Sequence, residues 1–580
     1  MVILFSFCLG AFALYVFSKN YFILQNPLLP EKMTRLVSTG NCLLATLSPD
    51  GKYVAYVIKD AGRQSLRLMQ VATSVETQIA PLAEVDYLGM TFSPDGNYLY
   101  YVANDFTSGK TDEQNSALYQ VATIGGAPRK VTERLNSAIT FSPDEKQFAF
   151  VREYTSEGVS ALMVSNADGT GERRLAERKL PYYFDYPAWS PDGDVIGCVA
   201  TGFTGPVHLN FYDKRGRKVN SDAASHTWKH VRKVQWLKEG NGIVLSVGDP
   251  DRESVQLWYL SYPGGEANRI TNNLNDYLDV SLTPNSDALV TIESQQITSI
   301  WTWFKSKTSQ APQLVQAAGN YERVTSSQDG GIVYTVKTGA VRNIWKMKAD
   351  GREQRQLTMT DYDSFRPSAS PSGRYIVFLR ERRGKGSIWK IDTDGSNQKA
   401  LTGEISPETP QCSPDDKWVV FTAPSPKKWS VLWRVSLEGG AVTQLNDTIS
   451  TQPSISPDGK LIACFYLGQQ TDTQTKRMSI AILPFEGGAP LKIFEVPATV
   501  NQSAGIHWTA DGRSLTYVDG RSGHSNIWSQ SMDGGSPKPM THFKGDQIFS
   551  FDWSRDGKQL IFLNGTVMSN VVLMSGFRSP

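Results

Sequence analysis

Short apolar runs alternate with breaks rich in Gly, Pro, Asp and Ser from about residue 33 to the C-terminus. The runs at 53–57, 98–102, 375–379, 418–422 and 560–563 are β-branched and aromatic and too short for helices, so they predict strands. The breaks are copies of one another. Ser-Pro-Asp-Gly stands intact at 48–51, 93–96, 190–193 and 456–459, with degenerate copies at 142–145, 283–286, 327–330, 370–373, 413–416, 509–512 and 554–557 and a weak one near 236–240. Ser bonds to the turn backbone, Pro presets φ, Asp tolerates the bridge region and Gly supplies positive φ, so the tetrapeptide predicts a hairpin turn.

Each unit goes on to a third strand marked by an apolar-aromatic pair, as at Leu257-Trp258, Ile300-Trp301, Ile344-Trp345, Ile388-Trp389, Leu432-Trp433 and Ile527-Trp528. A Gly-containing turn and a short outer strand follow, for example 355–358 and 399–402. A Trp at one fixed place per repeat reads as packing between units. Copies recur about every 43 to 53 residues, the period of a four-stranded propeller blade. The expectation is an all-β chain of tandem β-propellers with about twelve four-stranded blades. Two six-bladed rings are the simplest partition, and a seven-plus-five split fits the same count. The boundary is expected in the Ser-, Gln- and Ala-rich stretch 305–320, giving a first propeller over 25–316 and a second over 317–580. The last unit stops after its third strand, 570–574, while 33–37 reads as an orphan outer strand that closes the last blade.

Upstream, 2–17 is apolar or small throughout and a second apolar patch covers 21–24. The first run makes about 24 Å of helix against roughly 30 Å of hydrocarbon. No basic region precedes it, so 1–24 is expected to be a single-pass transmembrane anchor rather than a cleaved signal, either short in itself or preceded by a cytoplasmic part. Lys19, Lys32 and Arg35 follow the helix and bear on orientation.

Of 580 residues 40% are hydrophobic and 20% charged, which excludes a disordered chain. The formal charge is +2, so no bulk attraction draws nucleic acid, and no nucleic-acid partner is expected. The five cysteines are scattered without a metal or redox spacing, and Cys198 and Cys464 sit in apolar runs as packed thiols.

The repeats resemble the TolB-type propeller repeat, a relative of the WD repeat. The string from Tyr262-Pro263-Gly264-Gly265 through Arg269-Ile270-Thr271 to Leu274-Asn275-Asp276-Tyr277 is similar to the extracytoplasmic region of bacterial receptor-type Ser/Thr kinases and membrane-anchored winged-helix regulators. That resemblance implies propellers outside the cytoplasm and a sensor or scaffold role in signalling.

Chemistry is sparse. The kinase loop, catalytic and metal-binding motifs do not occur, nor does a Gly-x-Ser-x-Gly elbow on a βα fold; Ser522 beside His524 stands in the wrong frame. His226 and His230 precede a strand rather than share a helix face, and Asp392-Thr393-Asp394-Gly395 has Gly403 where a calcium loop needs Glu. No catalytic residue, cofactor or metal is expected. What remains is the mouth where outer strands lead into inner strands. Those loops carry Tyr183, Asp185 and Tyr186, then Asp276 and Tyr277, then Asp361, Tyr362, Asp363, Phe365 and Arg366. Aromatics with an Arg suit a protein or peptide partner as well as they suit plugs between blades. The expected function is non-catalytic binding; the alternatives are a fragment of a receptor kinase or winged-helix regulator, or the propeller of a prolyl-oligopeptidase-like hydrolase.

Overall fold

The computed structural model describes residues 29–577, apart from 61, 106–115, 181, 203–206, 249–253, 306–311, 339–340, 383–384, 426–427, 469–477 and 522–523. The described chain is all-β apart from two single-turn 3₁₀ segments, Asp222–Ser225 and Gln502–Ala504. Ten sheets are four-stranded, antiparallel and built from consecutive strands, as in Cys42–Leu47, Tyr53–Asp60, Arg63–Gln70 and Glu76–Ala83.

The tetrapeptide turn forms as its chemistry requires. Ser48 Oγ donates to Asp50 Oδ1 at 2.7 Å and accepts from the Tyr53 amide at 2.9 Å, and Gly51 sits at φ 70°. The weak twelfth copy makes the same turn, its Gly240 amide bonding to the Leu237 carbonyl at 3.0 Å.

The strand after the turn is buried on both faces, and alternate residues serve different neighbours. Ile376 and Phe378 pack back onto Val333 and Ile344, while Val377 and Leu379 pack forward onto Val419 and Phe421. In each third strand the residue before the Trp is fully buried, and Trp258, Trp389 and Trp528 lie under arginine guanidinium groups at 4.9, 4.1 and 4.2 Å.

Sheet-to-sheet packing runs in two circuits. From the first sheet, shared cores lead through Val57 and Tyr101, Val102 and Phe150, Val151 and Phe184, Val199 and Val234, and Leu257 and Tyr277, then back through Ile292 to Tyr56. The second leads from Ile344 and Phe378 through Leu379 and Phe421, Leu432 and Cys464, Phe465 and Tyr517, and Ile527 and Phe562, then back through Ile561 to Tyr334.

One seven-stranded sheet belongs to both circuits. The strands Ala288–Phe304 and Gln559–Ser575, each of 17 residues, pair antiparallel from Ala288↔Ser575 to Phe304↔Gln559. The first circuit's end of this pair is flanked by Lys32–Val37 on Gln559–Ser575 and by Asp276–Tyr277 and Ser281–Leu282 on Ala288–Phe304. The other end is flanked by Gln547–Trp553 and Gln313–Gly319. Residues 297–566 thus lie between the two passes of this strand pair, each of which runs unbroken from one circuit into the other. Backbones crowd at the seam. A Cβ on Gly565 would lie 2.0 Å from the Ile297 carbonyl oxygen.

The segment expected as a membrane anchor, 1–24, lies outside the described residues. Among the described residues no helix is long and apolar enough to cross a membrane, and this finding overturns the single-pass membrane placement read from the sequence.

Candidate functional site

Both crossing strands leave a Ser-Pro-Asp-Gly-type turn and run towards the opposite, loop-bearing end of their own sheet before entering the other circuit. The two circuits therefore meet loop end to loop end. Away from the shared sheet, Lys229 of the first circuit pairs with Glu381 of the second. A cleft of about 380 Å³ is lined by Leu274, Asp276 and Ser294 to Gln296 on one side and by Tyr321, Glu322, Arg323, Arg342, Phe365, Arg366, Gln452, Ser503 and Phe549 on the other.

Three of the mouth residues singled out in the sequence line this cleft. Asp276 Oδ1 accepts from the Val255 amide at 2.9 Å, which fixes the carboxylate at the rim. Phe365 lies 3.5 Å beneath the Arg342 guanidinium. Arg366, at φ 53° in a strand bulge, donates to Glu408 at 2.8 Å. Asp363 builds the site from behind, accepting from the Arg342 amide at 2.7 Å and from its guanidinium at 3.3 Å.

The others lie elsewhere. Tyr277 is fully buried, its hydroxyl accepting from Asn273 at 2.7 Å. Tyr362 stacks with Arg382 at 5.1 Å, and Asp361 is exposed. Tyr183, Asp185 and Tyr186 belong to the strand Tyr182–Trp189. Burial pushes the Asp185 carboxyl up to about 7, its bond from the Tyr186 amide opposing this in part.

One group of the cleft wall, Arg323, was not legible as a candidate site residue. Arg323 donates from Nη1 to the Ser503 carbonyl and from Nη2 to Gln452 Oε1, both at 2.8 Å. These bonds carry it across the centre of the second circuit, from its first sheet to its fourth. Burial, and then the nearby Arg366 guanidinium, push the Arg323 guanidinium down to about 9. Below it Asp552 is committed to Thr325 Oγ1 at 2.8 Å, the Ser326 amide at 2.9 Å and His507 at 3.3 Å. Burial alone would raise that carboxyl, but its bonds, first that from His507, hold it below the usual range. The missed signal is positional. Arg323, Arg366 and Gln452 each stand four residues before the first residue of a Ser-Pro-Asp-Gly-type turn.

His226 bonds through Nε2 to the Gly265 carbonyl, and Asp394 accepts from the backbone and side chain of Ser396 as a turn residue. Among the described residues no group of three or more His, Cys, Asp or Glu could hold a metal ion.

The family profile described as TolB beta propeller domain matches residues 326–482. A protein of Agrobacterium fabrum, "Uncharacterized protein Atu1656", is 30% identical over 161 residues, 27% of this chain and 50% of its own length. "Uncharacterized peptidase YuxL" of Bacillus subtilis is 24% identical over 176 residues, 30% of this chain and 24% of its own length. The chain thus spans half or less of these curated relatives. The solved putative TolB from Agrobacterium tumefaciens aligns at 17% identity over 58% of this chain and 90% of its own, with a TM-score of 0.24.

Proposed function

We propose that this chain, which carries TolB-type β-propeller repeats, is a non-catalytic binding protein made of two six-bladed rings that holds a protein or peptide segment in the cleft between them. The first ring would use 32–296 and 567–575, and the second 297–566. The shared cores that return to their starting sheets support this count.

The observation that carries the binding reading is the cleft itself. Two loop-bearing ends are held face to face by the long strand pair, and the cavity between them mixes aromatic faces with fixed polar groups, the composition of peptide-recognition surfaces. Asp276, Phe365 and Arg366 are the mouth residues proposed to touch the ligand; the remaining seven would position them or pack between blades. A sensor or scaffold role in a signalling protein is supported by the likeness around 262–277 alone.

A second reading has one specific support, the peptidase name of the Bacillus subtilis relative. On that reading the cleft would present peptide to a peptidase. Fluorescence anisotropy with labelled random octapeptides tests both. Saturable binding in the micromolar range, lost in Gln295→Trp at the exposed cleft wall, with the peptides recovered intact, is the expected result. Cleaved peptides would favour the peptidase reading, and unchanged binding by the Trp variant would remove the cleft from the site.

A further inference from the structure

The innermost strands of both circuits carry one residue at a common register position, four before the turn. In the second circuit these are Arg323, Arg366, Thr409, Gln452, Gly505 and Ser550. Two are cations and none is an acid. The guanidinium of Arg323 is bonded to a carbonyl and an amide oxygen, both neutral, and among the described residues no carboxylate is hydrogen-bonded to it. The nearest acids are spoken for. Asp552 bonds to Thr325, Ser326 and His507, and Glu408 reaches Arg366 from the exposed rim. Glu322 lies 3.5 Å from Arg342. Over the whole cleft lining, Arg323, Lys337, Arg342 and Arg366 stand against the carboxylates of Asp276 and Glu322.

The half-buried Arg323 guanidinium thus feels Glu408 and Asp552 only at a distance, and a carboxylate brought into hydrogen-bond range would be favoured there. The first circuit supplies its own: at the same register position Lys233 lies 3.9 Å from Asp279. The second has no such acid at this position, and the guanidinium groups of Arg323 and Arg366 line a cavity large enough for a few residues of extended chain.

We infer that the part of the cleft at Arg323 and Arg366 is a carboxylate site that takes the acidic group of a bound peptide, either its C-terminal carboxylate or an Asp or Glu side chain. The inference rests on the peptide-binding reading of the same cleft and names the group that anchors the peptide.

The decisive variant is Gln452→Glu, because it places a carboxylate where Arg323 already bonds at 2.8 Å and so fills the site from within while preserving the fold. Three labelled octapeptide pools serve as probes: free C-terminal acids lacking Asp and Glu, the corresponding amides, and amides containing Asp or Glu. On the native chain the free acids, the acidic amides or both should bind about tenfold or more tightly than the neutral amides, and which pool gains identifies the source of the carboxylate. Gln452→Glu and Arg323→Met should abolish that preference, Arg323→Lys should restore part of it, and unfolding midpoints establish that each variant is folded. If Arg323→Met proves unfolded, Gln452→Glu and Arg366→Met carry the test. Equal binding of all three pools to the native chain, or a preference that survives Gln452→Glu, overturns the carboxylate site while leaving the peptide cleft standing. Failure of every pool to bind overturns both readings.

Discussion

The two circuits share turn, period and core, yet they differ at the centre of their loop-bearing ends. At the position four before the turn the first circuit carries Leu44, Gly89, Ala138, Tyr186, Lys233 and Asp279, and the second Arg323, Arg366, Thr409, Gln452, Gly505 and Ser550. The first set is self-sufficient. A Cβ on Gly89 would lie 2.3 Å from that of Ala138, so neighbouring inner strands are already in contact, and the one cation has its acid. The second set is open and cationic. Repetition fixed the blade, and divergence at one register position made two different mouths from it.

The largest expected effect tests whether the circuits are joined as one cooperative unit. Gly565→Val drives a branched side chain into the Ile297 carbonyl and the Thr298 Cα, 2.0 and 2.7 Å from where its Cβ must lie. It should destabilise the chain by about 3 kcal/mol or more and lower both circuits together in calorimetry. Two separated transitions, with one circuit unaffected, would show that the long strands are a tether rather than a shared blade.

Removing the cation from each mouth should give unequal results. Lys233→Met leaves Asp279 buried without its partner, and burial already pushes that carboxyl up, so a loss of about 3 kcal/mol is expected in denaturant unfolding. Arg323→Met strands only neutral acceptors, so its change should stay within about 1 kcal/mol. Equal losses would erase the distinction between a compensated and an uncompensated centre.

Most of the fold was legible because its determinants are local. The turn is four residues of short-range hydrogen bonding, and the strand buried on both faces is written in short apolar runs such as 375–379. The shared sheet was not legible. The segment Ala288–Phe304 carries a polar centre, Glu293 to Gln296, and reads as a second strand, a hairpin loop and a third strand ending in Ile300-Trp301. The segment Gln559–Ser575 has the same profile around Asn564 to Asn570. A hairpin and a straight crossing have the same hydropathy, and only the pairing of two segments more than 250 residues apart, Ala288↔Ser575 through Phe304↔Gln559, decides between them. The site was partly legible for a similar reason. Aromatics near Asp and Arg drew attention to Phe365 and Arg366, but Tyr277 is buried core. Arg323 is a single polar letter in a strand whose meaning depends on Gln452 and Ser503 across the circuit.

Titration sharpens the comparison further. Asp185 of the first circuit has its carboxyl pushed up to about 7 by burial, so the folded chain holds a proton there that the unfolded chain releases near 4. Its contribution to stability is therefore greatest at acid pH and is lost as pH rises from about 4 through 7. Asp185→Asn removes the charge penalty and should stabilise the chain by about 2 kcal/mol at pH 8 and by little at pH 4. Asp552 in the second circuit has the opposite sign: its depressed carboxyl contributes stability above about 4 that is lost as pH falls. Asp552→Asn should accordingly destabilise at pH 8. The pH dependence of the two variants, measured by thermal unfolding, should diverge, and parallel curves would contradict the assignment.

The smallest effect asks where the circuits should not differ. The fourth turn residue is Gly in most copies, but Glu145 and Ser286 in the first circuit and Asp416 in the second occupy the same left-handed backbone at φ 61°, 58° and 55°. A side chain there costs about 1 kcal/mol relative to Gly, partly offset by the entropy that Gly adds to the unfolded chain. Glu145→Gly and Asp416→Gly should each stabilise by roughly 0.5 kcal/mol, read as a shifted denaturant midpoint at constant slope, whereas Ser286 also accepts from the Lys238 amide at 3.0 Å and would lose that bond. The gain should not depend on the circuit, since the turn's bonds close within six residues and know nothing of the mouth at the far end of the strand. A gain confined to one circuit would mean that turn and mouth are coupled through the blade, and the difference between the two circuits could then no longer be assigned to the residues four before the turn.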